Sequence, residues 1–86
     1  MSRHIIPRKK GGYCVVGYDR PLDHYFCQVW SNGDDAPVAE AIRGSGYNIL
    51  EFAHDCRAIV PDGLETQLFN EEAGLSDTNT MKDWRP

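Results

Sequence analysis

Two runs rich in β-branched and aromatic residues, Tyr13 to Tyr18 and His24 to Trp30, flank the short segment Asp19-Arg20-Pro21-Leu22-Asp23. Val15, Val16 and two tyrosines suit the first run to a pleated, half-buried surface, and Pro21 presets the backbone of the connecting segment for a turn. So short a connection predicts an antiparallel hairpin, 13–18 paired with 24–30. Gly17, inside the first strand, marks a bulge or a close contact. Ser31 to Asp35 (SNGDD) is a turn signal. Residues 38–43 read in two ways. As a third strand they place Val38 and Glu40 on one face and Ala39, Ala41 and Arg43 on the other. As one helical turn they use the helix preference of Ala and Glu. The strand is preferred, because a two-stranded sheet is marginal by itself.

The period then changes. Ile49, Phe52, Ala53, Cys56 and Val60 recur at helical spacing, behind Asn48 with Glu51 at the capping-box distance. This predicts a helix over 49–59, stopped by Pro61. Asp62 with Glu65 repeats the cap, and Leu64, Leu68 and Phe69 predict a second helix over 63–73, closed by Gly74. The pattern therefore describes an α+β domain: an antiparallel two- or three-stranded sheet packed against two short helices. It divides into a basic N-terminal arm (1–12), the domain proper (13–75) and a polar C-terminal tail (76–86). Ile5 and Ile6 can anchor the arm as a short edge strand. Met81 and Trp84 are the tail's large apolar residues.

Composition narrows the class. Eighty-six residues make one domain, and a chain this short buries only roughly 60–65% of the surface it exposes when unfolded. Apolar residues at 41% and charged residues at 26% fit a soluble globular protein. No apolar run approaches the ~20 residues of a membrane span, and the opening MSRHIIPRKKGG has no apolar h-region, so a cytoplasmic location is expected. The net charge of −4 is uneven. Residues 1–20 carry Arg3, Arg8, Lys9, Lys10 and Arg20 against Asp19 alone, whereas the remainder is strongly acidic. A basic arm on an acidic body is either a solvated terminus or a contact surface.

Reactive chemistry finds little support. Cys14, Cys27 and Cys56 are an odd number, against a complete disulfide framework, and cysteines in apolar runs behave as small buried hydrophobes. Metal-ligand spacings such as C-x₂-C, H-x₃₋₅-H and H-E-x-x-H do not occur. His24 and Cys27 differ by an odd number, so along a strand they point to opposite faces. Asp34-Asp35 lacks the calcium-loop pattern, and Gly44-Ser45-Gly46 lacks the lysine of a phosphate loop. No catalytic residue, metal or cofactor is assigned, and a non-enzymatic protein is expected.

Binding is the remaining reading. A small sheet offers edges for docking, Trp84-Arg85 has residue types enriched at protein hot spots, and Arg20 stands in the hairpin turn. Cations beside sheet aromatics also suit single-stranded nucleic acid, which makes a regulator using the arm and Tyr18 the alternative; the acidic body opposes it. The candidate binding residues are Arg8, Lys9, Lys10, Tyr18, Arg20 and Trp84. A protein partner or a homo-oligomer is the expected partner, nucleic acid the second, and a membrane is not expected. The run Val16-Gly17-Tyr18-Asp19-Arg20-Pro21-Leu22, followed by Tyr25-Phe26-x-Gln28-Val29, resembles a pattern in short uncharacterised bacterial proteins. That resemblance spans about the first third of the chain. It implies a bacterial accessory protein rather than a fragment of a larger enzyme, and carries over no functional residue.

Overall fold

The computed structural model describes residues 1–33, 35–43, 46–75 and 80–86. Its centre is the expected hairpin. β2 (Tyr13–Asp19) and β3 (His24–Trp30) pair antiparallel in full register, from Tyr13 opposite Trp30 to Asp19 opposite His24. The turn closes with the Asp23 amide donating to the Arg20 carbonyl. β4 (Ala39–Arg43) adds to β3, so the strand reading of 38–43 holds from Ala39 onward.

The sheet is larger than the expected two or three strands, and it is mixed rather than antiparallel. Arg3–Pro7 forms β1, antiparallel to β2, and Met81–Asp83 forms β5, parallel to β1. The order is β4-β3-β2-β1-β5. β1 is therefore an interior strand, and the last strand closes the edge beside it. Neither announces itself by alternation of apolar residues. β1 buries His4 as completely as Ile6, while all three β5 residues are exposed. β5 is held by main-chain bonds: the Arg3 amide donates to Thr80, and the Trp84 amide to Ile5.

Both helices lie on one face. α1 (Gly46–Asp55) packs on β2, β3 and β4, and α2 (Leu64–Glu72) on β2 and α1. The expected helix 49–59 thus starts earlier and stops sooner. Arg57 turns into the left-handed region at φ 69°, and Ala58 bridges back to Arg8 as an isolated β-bridge. Asn48 lies inside the first turn rather than at the cap. In α2 the N-cap is Gly63 rather than Asp62. At its C-terminal end Gly74 does take the C′ position at φ 76°. The amides of Gly74 and Leu75 donate to the carbonyls of Glu71 and Asn70, which is the Schellman arrangement.

Strand alternation sends Ile6, Cys14, Val16, Tyr18, Tyr25, Cys27, Val29 and Ala41 toward the helices, where they meet Ile49, Ala53, Leu64 and Leu68. Ile6, Ile49, Leu64 and Leu68 are fully buried, each contributing about 1.5–3 kcal/mol by the area rule. Gly17 faces the other way. A Cβ there would stand 2.1 Å from the Ser2 carbonyl oxygen and 2.7 Å from Phe26 Cζ. The glycine lets the Phe26 ring cross the strand, the close contact its position in the sequence suggested.

Candidate functional site

With both helices on one side, no second layer covers the opposite face of the sheet among the described residues. Register places Ile5, Val15, Phe26 and Ile42 there, with Tyr13 and Trp30 toward one end and Asp19 and His24 toward the other. Val15 and Phe26 are nearly covered by their neighbours. Ile42 is 58% exposed and Leu22, in the hairpin turn, 64%. These two, with Met1 and Phe26, line a shallow groove of about 230 Å³ whose polar margin is Arg3, Asp19, His24, Gln28 and Glu40. An apolar floor with both signs of charge around it is the composition of a protein contact.

The second feature is interior. Glu71, on α2, is fully buried and points at the N-terminal segment. Its carboxylate accepts from Ser2 Oγ, from His4 Nε2 at 2.7 Å and from Gln67 Nε2 at 3.2 Å. Burial pushes its pKa up, but the hydrogen bonds it accepts from His4, Ser2 and Gln67 outweigh it, so the group lies below its ordinary value. His4 Nδ1 accepts from the Trp84 indole at 3.1 Å. Serine, histidine and glutamate together invite comparison with a catalytic triad, but the connections differ. The hydroxyl donates to the carboxylate and accepts from the Tyr18 amide, and both ring nitrogens are engaged elsewhere. Ser2, His4 and Glu71 are each fully buried. The trio joins the N-terminal strand, α2 and the C-terminal segment; it does not present a nucleophile.

The three thiols gather under the sheet. Cys14 and Cys27 share the helix-facing side at diagonal positions and are wholly buried, while Cys56 is partly exposed. A bond from Cys27 lowers the Cys14 thiol, burial opposing and Arg8 assisting; Cys27 is raised by the same contact and by burial. Burial raises Cys56. All three are free, and among the described residues no group of three or more His, Cys, Asp or Glu is placed to hold a metal ion.

The residues singled out from the sequence do not form one cluster. Arg8 spends its guanidinium on main chain, donating to the carbonyls of Cys56 and Trp30. Lys9 and Lys10 are exposed at the tip of the β1–β2 turn. Tyr18 is 2% exposed; its hydroxyl donates to Asp23, and that bond, followed by burial, raises its pKa. Arg20 reaches neither acid beside it: Nη2 donates to the Glu71 carbonyl at 2.6 Å, at the end of α2, and the guanidinium lies 5.8 Å from the Tyr18 ring centre. Trp84 packs on the core and bonds His4, with Lys82 Nζ 3.8 Å from its ring centre. Sequence reasoning missed Ser2, His4 and Glu71, which no local spacing links. It also missed the groove residues Ile42 and Leu22, whose exposure follows only from which face the helices cover.

Among the described residues these features define an α+β domain whose helices cover one face of the sheet and leave the other uncovered. No protein-family model, no curated protein and no solved structure matches the chain. Among the described residues, no helix is long and apolar enough to cross a membrane.

Proposed function

We propose that the protein is a non-enzymatic binding module that docks another protein, or a second copy of itself, on the uncovered sheet face. The observation carrying this reading is the groove between Leu22 and Ile42. Two large apolar side chains remain more than half exposed there, beside a floor formed by Phe26 and Met1. Arg3 offers a positive contact at the margin, Asp19 and Glu40 negative ones, and His24 a polar ring. Leu22→Asp and Ile42→Asp test it, since both side chains project to solvent and their loss leaves the core intact. Wild-type protein retains a partner from its native cell, or sediments as a dimer, and both variants lose that association while keeping the wild-type Tm. Variants that bind as the wild type does refute the docking face, as does a wild-type chain that remains monomeric and retains nothing.

A second reading has its own observation. Tyr13 and Trp30 stack nearly parallel, 8° apart with ring centres 5.9 Å apart, and the Arg85 guanidinium lies 5.2 Å from the Tyr13 ring centre. With Lys9 and Lys10 on the neighbouring turn, this end of the sheet has the stacking and positive charge that single-stranded nucleic acid uses. Its check is oligonucleotide binding that falls steeply between low and physiological salt. Absence of binding at low salt removes this reading and leaves the first untouched.

A further inference from the structure

The C-terminal strand pairs with β1 through main-chain bonds, and the segment after it is attached by the Trp84 side chain and by Arg85 against the Tyr13 ring. Met81, Lys82 and Asp83 are exposed, whereas Trp84 turns inward and reaches His4. An indole N–H can only donate. His4 Nδ1 must therefore be the acceptor and carries no proton in this arrangement, and the ring's one proton sits on Nε2, directed at Glu71. The imidazole has no acceptor to spare. Adding a proton places an N–H at Nδ1 directly against the Trp84 N–H, 3.1 Å between nitrogens, and that bond cannot persist.

We propose that β5 and Trp84 form a proton-controlled latch: uptake of a proton at His4 Nδ1 expels the Trp84 indole and frees β5 from the edge of β1. The groups around the ring set the balance. From α2, the Glu71 carboxylate favours the added charge, and Glu71 is itself held by Ser2 and Gln67. Opposing it are the Trp84 contact and Lys82, whose ammonium rests on the Trp84 ring. Arg20 is bonded to the Glu71 carbonyl, and Val16 of β2, opposite His4, is uncharged. Release uncovers the main-chain groups of β1 that now hold Thr80 and Trp84, the Arg3 N–H and the Ile5 carbonyl. An unpaired edge of that kind accepts an incoming strand. The latch does not depend on the groove between Leu22 and Ile42, and either can fail alone.

The test is amide hydrogen exchange on the full chain from about pH 8 to about pH 5, expressed as protection relative to the intrinsic rate. The Trp84 and Arg3 amides report on the tail, and those of β2 and β3 on the core. In the wild type, tail protection falls by up to about tenfold per pH unit while core protection holds. Trp84→Phe keeps a ring in the slot but removes the N–H that the added proton opposes, so its tail protection stays flat over the same range. His4→Asn offers a carbonyl oxygen that does not titrate and gives the same flat profile. Wild-type tail protection that is independent of pH, that falls only together with the core, or that falls equally in Trp84→Phe overturns the latch.

Discussion

Removing the Glu71 carboxylate should be among the most damaging single changes in the protein. In Glu71→Ala the donors Ser2 Oγ–H and His4 Nε2–H lose their shared acceptor, and both residues are fully buried, out of reach of water. Gln67 is only partly buried and can turn outward. Two orphaned buried donors cost about 1–3 kcal/mol each, so a loss of about 3–5 kcal/mol is expected once the lost packing is included. A domain of this size has a total stability of about 4–13 kcal/mol. Glu71→Gln separates hydrogen bonding from volume. Its amide oxygen can accept from His4 and its NH₂ can donate to Ser2 Oγ, which limits the loss to about 1–2 kcal/mol. Urea unfolding followed by far-UV circular dichroism measures both, with an unchanged m-value showing that the two-state comparison holds. On heating, the Ala variant should melt lower by about 4–8 °C for each kcal/mol lost. If Ala and Gln variants lie within about 1 kcal/mol of the wild type, water satisfies those donors and the network does not hold the chain ends together.

Three further outcomes follow from the same geometry. Because Glu71 titrates below its ordinary value in the folded state, its contribution is complete above the unfolded carboxyl value and lost as pH falls through the folded one; urea midpoints in acid should show the gap between wild type and Glu71→Gln closing. Gly17→Ala should cost about 1–3 kcal/mol, because its Cβ meets a backbone oxygen and a ring that are already packed, whereas Gly33→Ala, with nothing within 4 Å, carries only the strain of φ 83°, about 1 kcal/mol. Comparing the two melting curves checks this. Native-state labelling with a thiol reagent, read by mass spectrometry, should modify Cys56 first and slowly, since burial raises its thiol, and reach Cys14 and Cys27 only at the rate of unfolding.

The central hairpin was legible because its strands carry their own signal: apolar and aromatic side chains on both faces, with a proline turn between. The helices were legible as an apolar stripe, although their first residues were not, since Gly46 and Gly63 start them ahead of or beside the side chains that looked like caps. β1 and β5 were hidden for a different reason. His4 reads as a polar interruption until its partners, 67 and 80 residues away, are known. Met-Lys-Asp has no alternation at all, because its pairing is main-chain. Arg20 shows the same limit. Local charge points to Asp19 and Asp23, while the acceptor it bonds is a carbonyl 51 residues further on. The groove was illegible because exposure on a sheet face is decided by where the helices go, not by the strand's own pattern.

The junction at Glu71 also bears on the order of folding. The β2–β3–β4 meander pairs neighbours in the chain, but Ser2 and His4 meet Glu71 of α2 across 69 and 67 residues, and Trp84 meets His4 across 80. Such contacts repay their loop-closure entropy only after the intervening chain is in place. The meander with α1 can therefore assemble first, with the N-terminal segment then docking against a formed α2 and β5 against β1. In kinetic terms the junction acts as a brake on unfolding: damage at Glu71 should raise the unfolding rate and leave the folding rate almost unchanged, and a chevron plot with its shift on the folding arm instead would place the junction in the nucleus.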